Sequence, residues 1–133
     1  MKTAEMIKKY YEAFNSKNKQ GMLELLAHDV VHDINQGPRM KGKEEFSRFL
    51  DKMDLHYDET LTDIVIMVSE NESRASAEFI CHGTYKVTDE PLPQARGQKY
   101  SIPVGCFFDI KNDKITRVSN YYNLNDWIKM VQG

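Results

Sequence analysis

The sequence predicts a single α+β domain, a cone in which helices pack on a curved, mainly antiparallel sheet and enclose an apolar pocket. Three observations predict it. Helical periodicity fills the first part of the chain and returns only at the end; from residue 61 the apolar period becomes two; and the short polar segments Glu70-Asn71-Glu72-Ser73 and Lys111-Asn112-Asp113 join successive strands as hairpin turns. A length of 133 residues with 41% hydrophobic content suits one core and one domain spanning residues 1–133.

Taken in order, residues 3–16 place Met6, Ile7, Tyr10, Tyr11 and Phe14 at helical spacing, with Thr3 as an N-cap. Asn15, Ser16 and Asn18 interrupt the pattern, and Met22, Leu23, Leu25 and Leu26 form a second short helix ending before His28 and Asp29. Val30 to Asn35 is a β-branched run that ends in the turn residues Gln36, Gly37 and Pro38. Lys43 to Met53 puts Phe46, Phe49, Leu50 and Met53 on one face of a third helix, with Gly42 just ahead. Four strands follow, Leu61 to Ser69, Arg74 to Val87, Lys99 to Ile110 and Lys114 to Tyr122. The segment TDEPLPQARGQ, residues 88–98, has no apolar period and reads as a long exposed hairpin loop; Asn125 to Val131 forms a short closing helix.

Composition excludes several classes of partner. Eighteen basic and 20 acidic residues leave a net charge of -2, so no global positive field gathers nucleic acid or an anionic membrane. MKTAEMIKKYYEAF lacks the uninterrupted apolar stretch of a secretory leader, and no apolar run reaches membrane-spanning length. Cys81 and Cys106, isolated in strand-like runs, read as free thiols of a reducing cytoplasm. His28 and His32 are four apart, but the second lies in a strand and no carboxylate or thiol completes a metal site, so neither a metal nor a cofactor is expected.

The runs KKYYEAFNSKN, LLAHDVVHDINQGPRMKGKEEFSRFL and KITRVSNYYNLNDWI resemble the ketosteroid-isomerase-related, SnoaL-like polyketide-cyclase branch of the nuclear-transport-factor-2-like superfamily. The resemblance covers nearly the whole chain and implies the cone-shaped fold of that superfamily. It also maps family positions onto this sequence. Tyr10 matches the first-helix tyrosine of a ketosteroid isomerase, the proton-moving aspartate falls at Ile34 between Asp33 and Asn35, and the oxyanion aspartate falls at Gly105. The aspartate that follows the paired aromatics in cyclases is Asn123 here. Standard steroid isomerisation is disfavoured on that mapping, because one lost oxyanion donor costs on the order of a hundredfold in rate.

Strand alternation selects the side chains expected to face the interior. Val118, Asn120 and Tyr122 share one face, opposite Ser119 and Tyr121; Val30, His32 and Ile34 share another, opposite Val31, Asp33 and Asn35. His32 and Tyr10 are the candidate catalytic residues, since a neutral imidazole in a dry pocket can move a proton and a buried phenol can donate to a substrate oxygen. Asn35, Asn120, Tyr122, Asn123, Phe49, Phe79 and Phe107 are the candidate ligand contacts. The expected protein is thus a homodimer binding a hydrophobic small molecule, with isomerase, cyclase or hydratase chemistry on a carbonyl compound. The alternative is a non-catalytic assembly module whose outer sheet face, with Ile80 and Tyr121, meets a partner.

Overall fold

The computed structural model describes residues 1–132. Helix α1 (Thr3–Asn15) turns Met6, Ile7, Tyr10 and Tyr11 into the core, as their spacing requires. Its last residue clamps it to the sheet: Asn15 Nδ2 donates to the Leu61 carbonyl at 3.0 Å and Oδ1 accepts from the Leu61 N–H at 2.9 Å. Two part-buried bonds at about 1 kcal/mol each predict that Asn15→Ala lowers stability by about 2 kcal/mol in urea unfolding. An unchanged midpoint would refute the clamp.

Helix α2 (Lys19–Glu24) starts earlier than expected, because Asn18 is its cap and accepts from the Gly21 N–H at 2.9 Å. A short polar residue that competes with the backbone looks like a break in sequence and acts as a start in structure. Leu26 then belongs to strand β1 (Leu26–Asp33), not to the helix. The strand ends two residues before Asn35, and β2 (Arg39–Lys41), which the sequence pattern did not reveal, folds back beside it. Helix α3 (Lys43–His56) runs directly into β3 (Tyr57–Val68), so the strand expected from Leu61 begins four residues sooner. Strands β4 (Arg74–Tyr85), β5 (Lys99–Lys111) and β6 (Lys114–Tyr121) and helix α4 (Leu124–Gln132) complete the chain.

The strands form one curved, unclosed sheet in the order β2-β1-β6-β5-β4-β3. β3 to β6 are the predicted antiparallel meander, whereas β1 joins β6 in parallel. A bulge in β3 between Thr62 and Val65, with Asp63 at φ 56°, bends the sheet edge around the helices and switches the strand's phase. Before it Tyr57, Glu59 and Leu61 point inward; after it Val65 and Met67 are exposed on the convex side. Among the described residues no helix is long and apolar enough to cross a membrane.

The loop of residues 88–98 is a folded element, contrary to the expectation of an exposed one. Leu92 and Ala95 pack against the core, the Tyr85 hydroxyl donates to the Pro93 carbonyl at 2.7 Å, and Gln98 Nε2 donates to the Val131 carbonyl of α4 at 2.9 Å. These polar anchors replace the missing apolar period.

A row of charges crosses the convex face. Arg39 forks onto Asp33 (2.6 and 2.9 Å), the Ser119 hydroxyl donates to Asp33 (2.7 Å) and accepts from Arg117 (2.5 Å), Arg117 forks onto Asp109 (3.0 and 3.1 Å), and Arg74 reaches Asp109 at 2.8 Å. These residues occupy matching register positions on β2, β1, β6, β5 and β4. Arg39 and its partners hold the Asp33 carboxyl down at about 2.

Candidate functional site

Between the concave sheet face, α1, α3 and the loop of residues 88–98 lies a cavity of about 480 Å³, within the range usual for small-molecule sites. Tyr10 and Phe14 reach it from α1, Phe46 and Phe49 from α3, and Phe79, Ile102 and Val104 from the sheet floor. Its wall is largely apolar, which raises the cost of every polar group placed there without a partner.

His32 is such a group. Only 2% of it is exposed, and its ring lies 4.4 Å from that of Phe46 and 4.6 Å from that of Phe49. Neither ring nitrogen has a hydrogen-bond partner. Burial drives its pKa down to about 4 against the opposing pull of Asp33, so the imidazole is neutral at pH 7. Asp33 does not orient it, because neighbouring strand residues face opposite sides and Asp33 is held in the convex row.

Ile34, Asn35, Asn120 and Tyr122 line the same cavity. Alternation put Asn35 on the outer face with Asp33. The strand ends at Asp33, however, and the chain turns through Gln36 at φ 57°, which swings Asn35 inward. Its Oδ1 accepts from the Tyr122 N–H at 3.3 Å. Burial raises the Tyr122 hydroxyl's pKa and Glu59 adds to the rise, while the Asn35 side chain opposes it as a hydrogen-bond donor.

Two expected contacts lie elsewhere. Phe107 is 43% exposed on the convex side, its ring 5.8 Å from that of Tyr121; its neighbour Phe108 takes the interior position and is fully buried. Asn123 is exposed and caps α4, its Oδ1 accepting from the Asp126 N–H at 3.0 Å. Gly105 pairs with Tyr121 on the convex side, and a Cβ there would meet open space. The interior positions around it are Val104 and Cys106, so Gly105 does not stand in for an oxyanion donor.

The sequence pattern missed the cavity's carboxylate. Glu59, one strand step before Leu61, points inward and accepts from the Tyr100 hydroxyl at 2.6 Å. Burial raises its pKa, against the hydrogen bonds from Tyr100 and Cys81 and the charge of Lys17. Burial first, and then the same carboxylate, raise the pKa of the Tyr100 hydroxyl and the Cys81 thiol, so both keep their protons as donors to it. Gly83 makes this possible. Tyr100 lies across its backbone, and a Cβ on Gly83 would come within 2.2 Å of the ring. Tyr57 stacks on Tyr85 and donates to Asp89 at 2.8 Å, while Trp127 closes the wall against Tyr57, Tyr85 and Tyr100.

Cations stay at the exposed rim and are already paired: Lys17 with Asp58 at 3.3 Å, Lys19 with Asp51 at 2.7 Å and Lys52 with Asp89 at 3.7 Å. Both cysteines are free and buried. Among the described residues no three His, Cys, Asp or Glu side chains converge as metal ligands would.

The sequence profile of the SnoaL-like domain matches residues 7–118. The chain belongs to the SnoaL-like family. Three solved structures extend the family's likeness over the full length. A provisionally named polyketide cyclase from Pseudomonas putida KT2440 is 51% identical, with a TM-score of 0.97 and 98% of each chain covered. One from Xanthomonas campestris pv. campestris is 48% identical, with a TM-score of 0.94 over 96% of this chain and 95% of its own. One from Silicibacter sp. TM1040 is 46% identical, with a TM-score of 0.97 over 98% of this chain and 96% of its own. No curated protein matches the sequence. A SnoaL-like domain therefore carries the neutral imidazole and the buried carboxylate on opposite walls of one cavity, on β1 and β3.

Proposed function

We propose that this SnoaL-like protein binds a hydrophobic carbonyl compound in the cavity and catalyses its isomerisation or cyclisation by proton transfer, with Glu59 as the base. One observation carries the reading: a carboxylate of raised pKa inside an apolar, ligand-sized cavity, held by Tyr100. Desolvation makes such a carboxylate a stronger base than one in water, and the fixed Tyr100 hydroxyl keeps it aimed. Glu59 takes a proton from carbon next to the carbonyl, and the electron pair moves onto the carbonyl oxygen as an enolate. The proton then returns to a different carbon, or the enolate carbon bonds to a second carbonyl, whose oxygen receives the proton. Tyr10, Tyr122, His32 and Asn120 supply polar contacts to the substrate's oxygens. The relatives' provisional naming as polyketide cyclases supports carbon–carbon ring closure as the form of the reaction.

β-Tetralone, a bicyclic ketone with activated C–H bonds beside its carbonyl, tests this without the natural substrate. In D2O the protein is expected to speed exchange of those protons, followed by NMR, above a buffer control. A rate equal to buffer for β-tetralone at saturating protein would reject proton abstraction.

The convex face supports a second reading, of a homodimer. Met67, Val65, Phe107 and Tyr121 are 52%, 55%, 43% and 57% exposed there, an apolar group beside the arginine row. Light scattering is expected to give the mass of a dimer, and Tyr121→Arg to shift it toward monomer. A monomeric wild type would end this reading.

A further inference from the structure

We infer that the turn of residues 89–92 is a gate on the cavity, and that the Asp89 carboxylate is its latch, holding Lys52 of α3 and the Tyr57 hydroxyl at once. The inference rests on the reading of the cavity as the ligand site and adds how that site opens. Exposed residues line the cavity on both flanks of α3: Asn18 and Asp51 toward α2, and Lys52, Glu90 and Pro91 toward the turn. The α2 flank is fixed. Lys17 Nζ donates to the Glu59 carbonyl at 2.7 Å, Asn18 caps α2, and Lys19 meets Asp51 at 2.7 Å. On the other flank no helix or strand closes the gap. There Asp89 Oδ1 lies 3.7 Å from Lys52 Nζ, and its Oδ2 accepts from the Tyr57 hydroxyl at 2.8 Å.

Helix α3 is not the moving part. Phe46 buries its first half, its last residue runs straight into β3, and Lys86 ties that end through its N–H to the His56 carbonyl (2.8 Å) and through Nζ to the Asp54 carbonyl (2.7 Å). The turn is pinned only at its base. The Tyr85 hydroxyl accepts from the Asp89 N–H at 2.9 Å and donates to the Pro93 carbonyl at 2.7 Å, and the Ala95 N–H donates to Thr88 Oγ1 at 2.8 Å. Glu90, Pro91 and Leu92 form a tip between those fixed points, with Leu92 as its apolar plug against the core. The latch has two grips of different kind. The Lys52 side chain is 59% exposed, and an ion pair of that sort is weak and screened by salt. Tyr57 is buried, so its hydroxyl loses its acceptor inside an apolar wall whenever the carboxylate lets go, which favours reclosing. A gate of this design sets entry and exit together and leaves affinity alone, because a ligand passes the open form in both directions.

Tetralin, the bicyclic core of β-tetralone without its carbonyl, tests this apart from any proton transfer. Trp127, the chain's single tryptophan, lines the cavity, so its emission in stopped flow reports kon and koff. Asp89→Ala, which removes both grips, is expected to raise kon and koff together by about tenfold while Kd stays within about twofold. Lys52→Met is expected to raise both by about twofold, and added salt to speed the wild type but not that variant. Lys19→Met, which breaks the pair on the opposite flank, is expected to change neither rate. Melting curves show whether the variants are folded, and Tyr57→Phe, which keeps the stack on Tyr85, stands in if Asp89→Ala is not. Unchanged rates in the folded variant would overturn the gate and leave the cavity reading intact. A rise in koff alone, with affinity lost in step, would make Asp89 an ordinary contact and overturn it as well, as would Lys19→Met speeding both rates as much as Asp89→Ala. Saturating tetralin that changes neither Trp127 emission nor any cavity NMR resonance would overturn the cavity reading and the gate together.

Discussion

Glu59→Gln is expected to abolish β-tetralone proton exchange, lowering the protein-catalysed rate by about a hundredfold to ten-thousandfold, the span that a positioned base supplies. Glutamine keeps the side chain's length and its carbonyl can still accept from Tyr100, so the Tyr100 anchor and the cavity shape survive. What is lost is the capacity to take a proton. Tetralin affinity, measured in parallel, is expected to hold within about twofold, which separates chemistry from packing. Exchange at the wild-type rate in a folded Glu59→Gln protein would move the base elsewhere, first to His32.

The second large effect concerns acid. His32 has a pKa of about 4 in the folded protein against 6.5 for an ordinary histidine. As pH falls below 6.5 the unfolded chain takes up a proton that the native protein refuses, so stability is lost progressively until pH reaches about 4, below which both states are protonated. The shift corresponds to about 3 kcal/mol over that window, as an upper figure. Glu59 works in the opposite direction: its raised pKa means that the native state holds a proton more firmly, so its contribution fades as pH rises. Asp33, depressed to about 2, stabilises the native state throughout this window, and its contribution is lost only below it, as pH falls from the ordinary carboxylate value towards 2. The difference between wild type and His32→Leu isolates the imidazole. The variant is expected to be more stable at pH 7 by about 1–3 kcal/mol, because a buried polar group without partners has been removed. Its advantage is expected to grow by about 3 kcal/mol more on going to pH 4. Urea unfolding at both values checks this, and an unchanged difference would mean that the imidazole is solvated or partnered in solution.

Much of the fold was legible because alternation and helical spacing are strong signals where one face is polar. The meander, α1, α3 and the inward set of Val118, Asn120 and Tyr122 all follow from them. Where both faces are apolar the signal vanishes. In the run IPVGCFF, Phe107 and Phe108 have equal claims on the core, and only the register with β6 decides for Phe108. The carboxylate was hidden for the opposite reason. Helix α3 passes into β3 with no loop between them, and HYDE, residues 56–59, looks like solvated connection. An inward glutamate contradicts the apolar-inside rule that strand reading depends on, and that contradiction is what marks the candidate site. Family mapping placed Asn123 and Gly105 in the interior by analogy of position, whereas a helix cap and a convex strand face took them out of it.

A β-sheet is one peptide thick, so the arginine row on the outside also forms part of the electrical surroundings of the cavity. Asp33 is the charge that pulls on His32 from behind, and on the outside it is paired with Arg39, a charge of opposite sign. A partner or an engineered surface change that drew Arg39 away would let that field through the wall and make the imidazole easier to protonate, without touching a single cavity residue. The exterior of this cone is therefore a place from which its interior can be tuned, and a surface substitution chosen only for solubility is, at position 39, a substitution in the site as well.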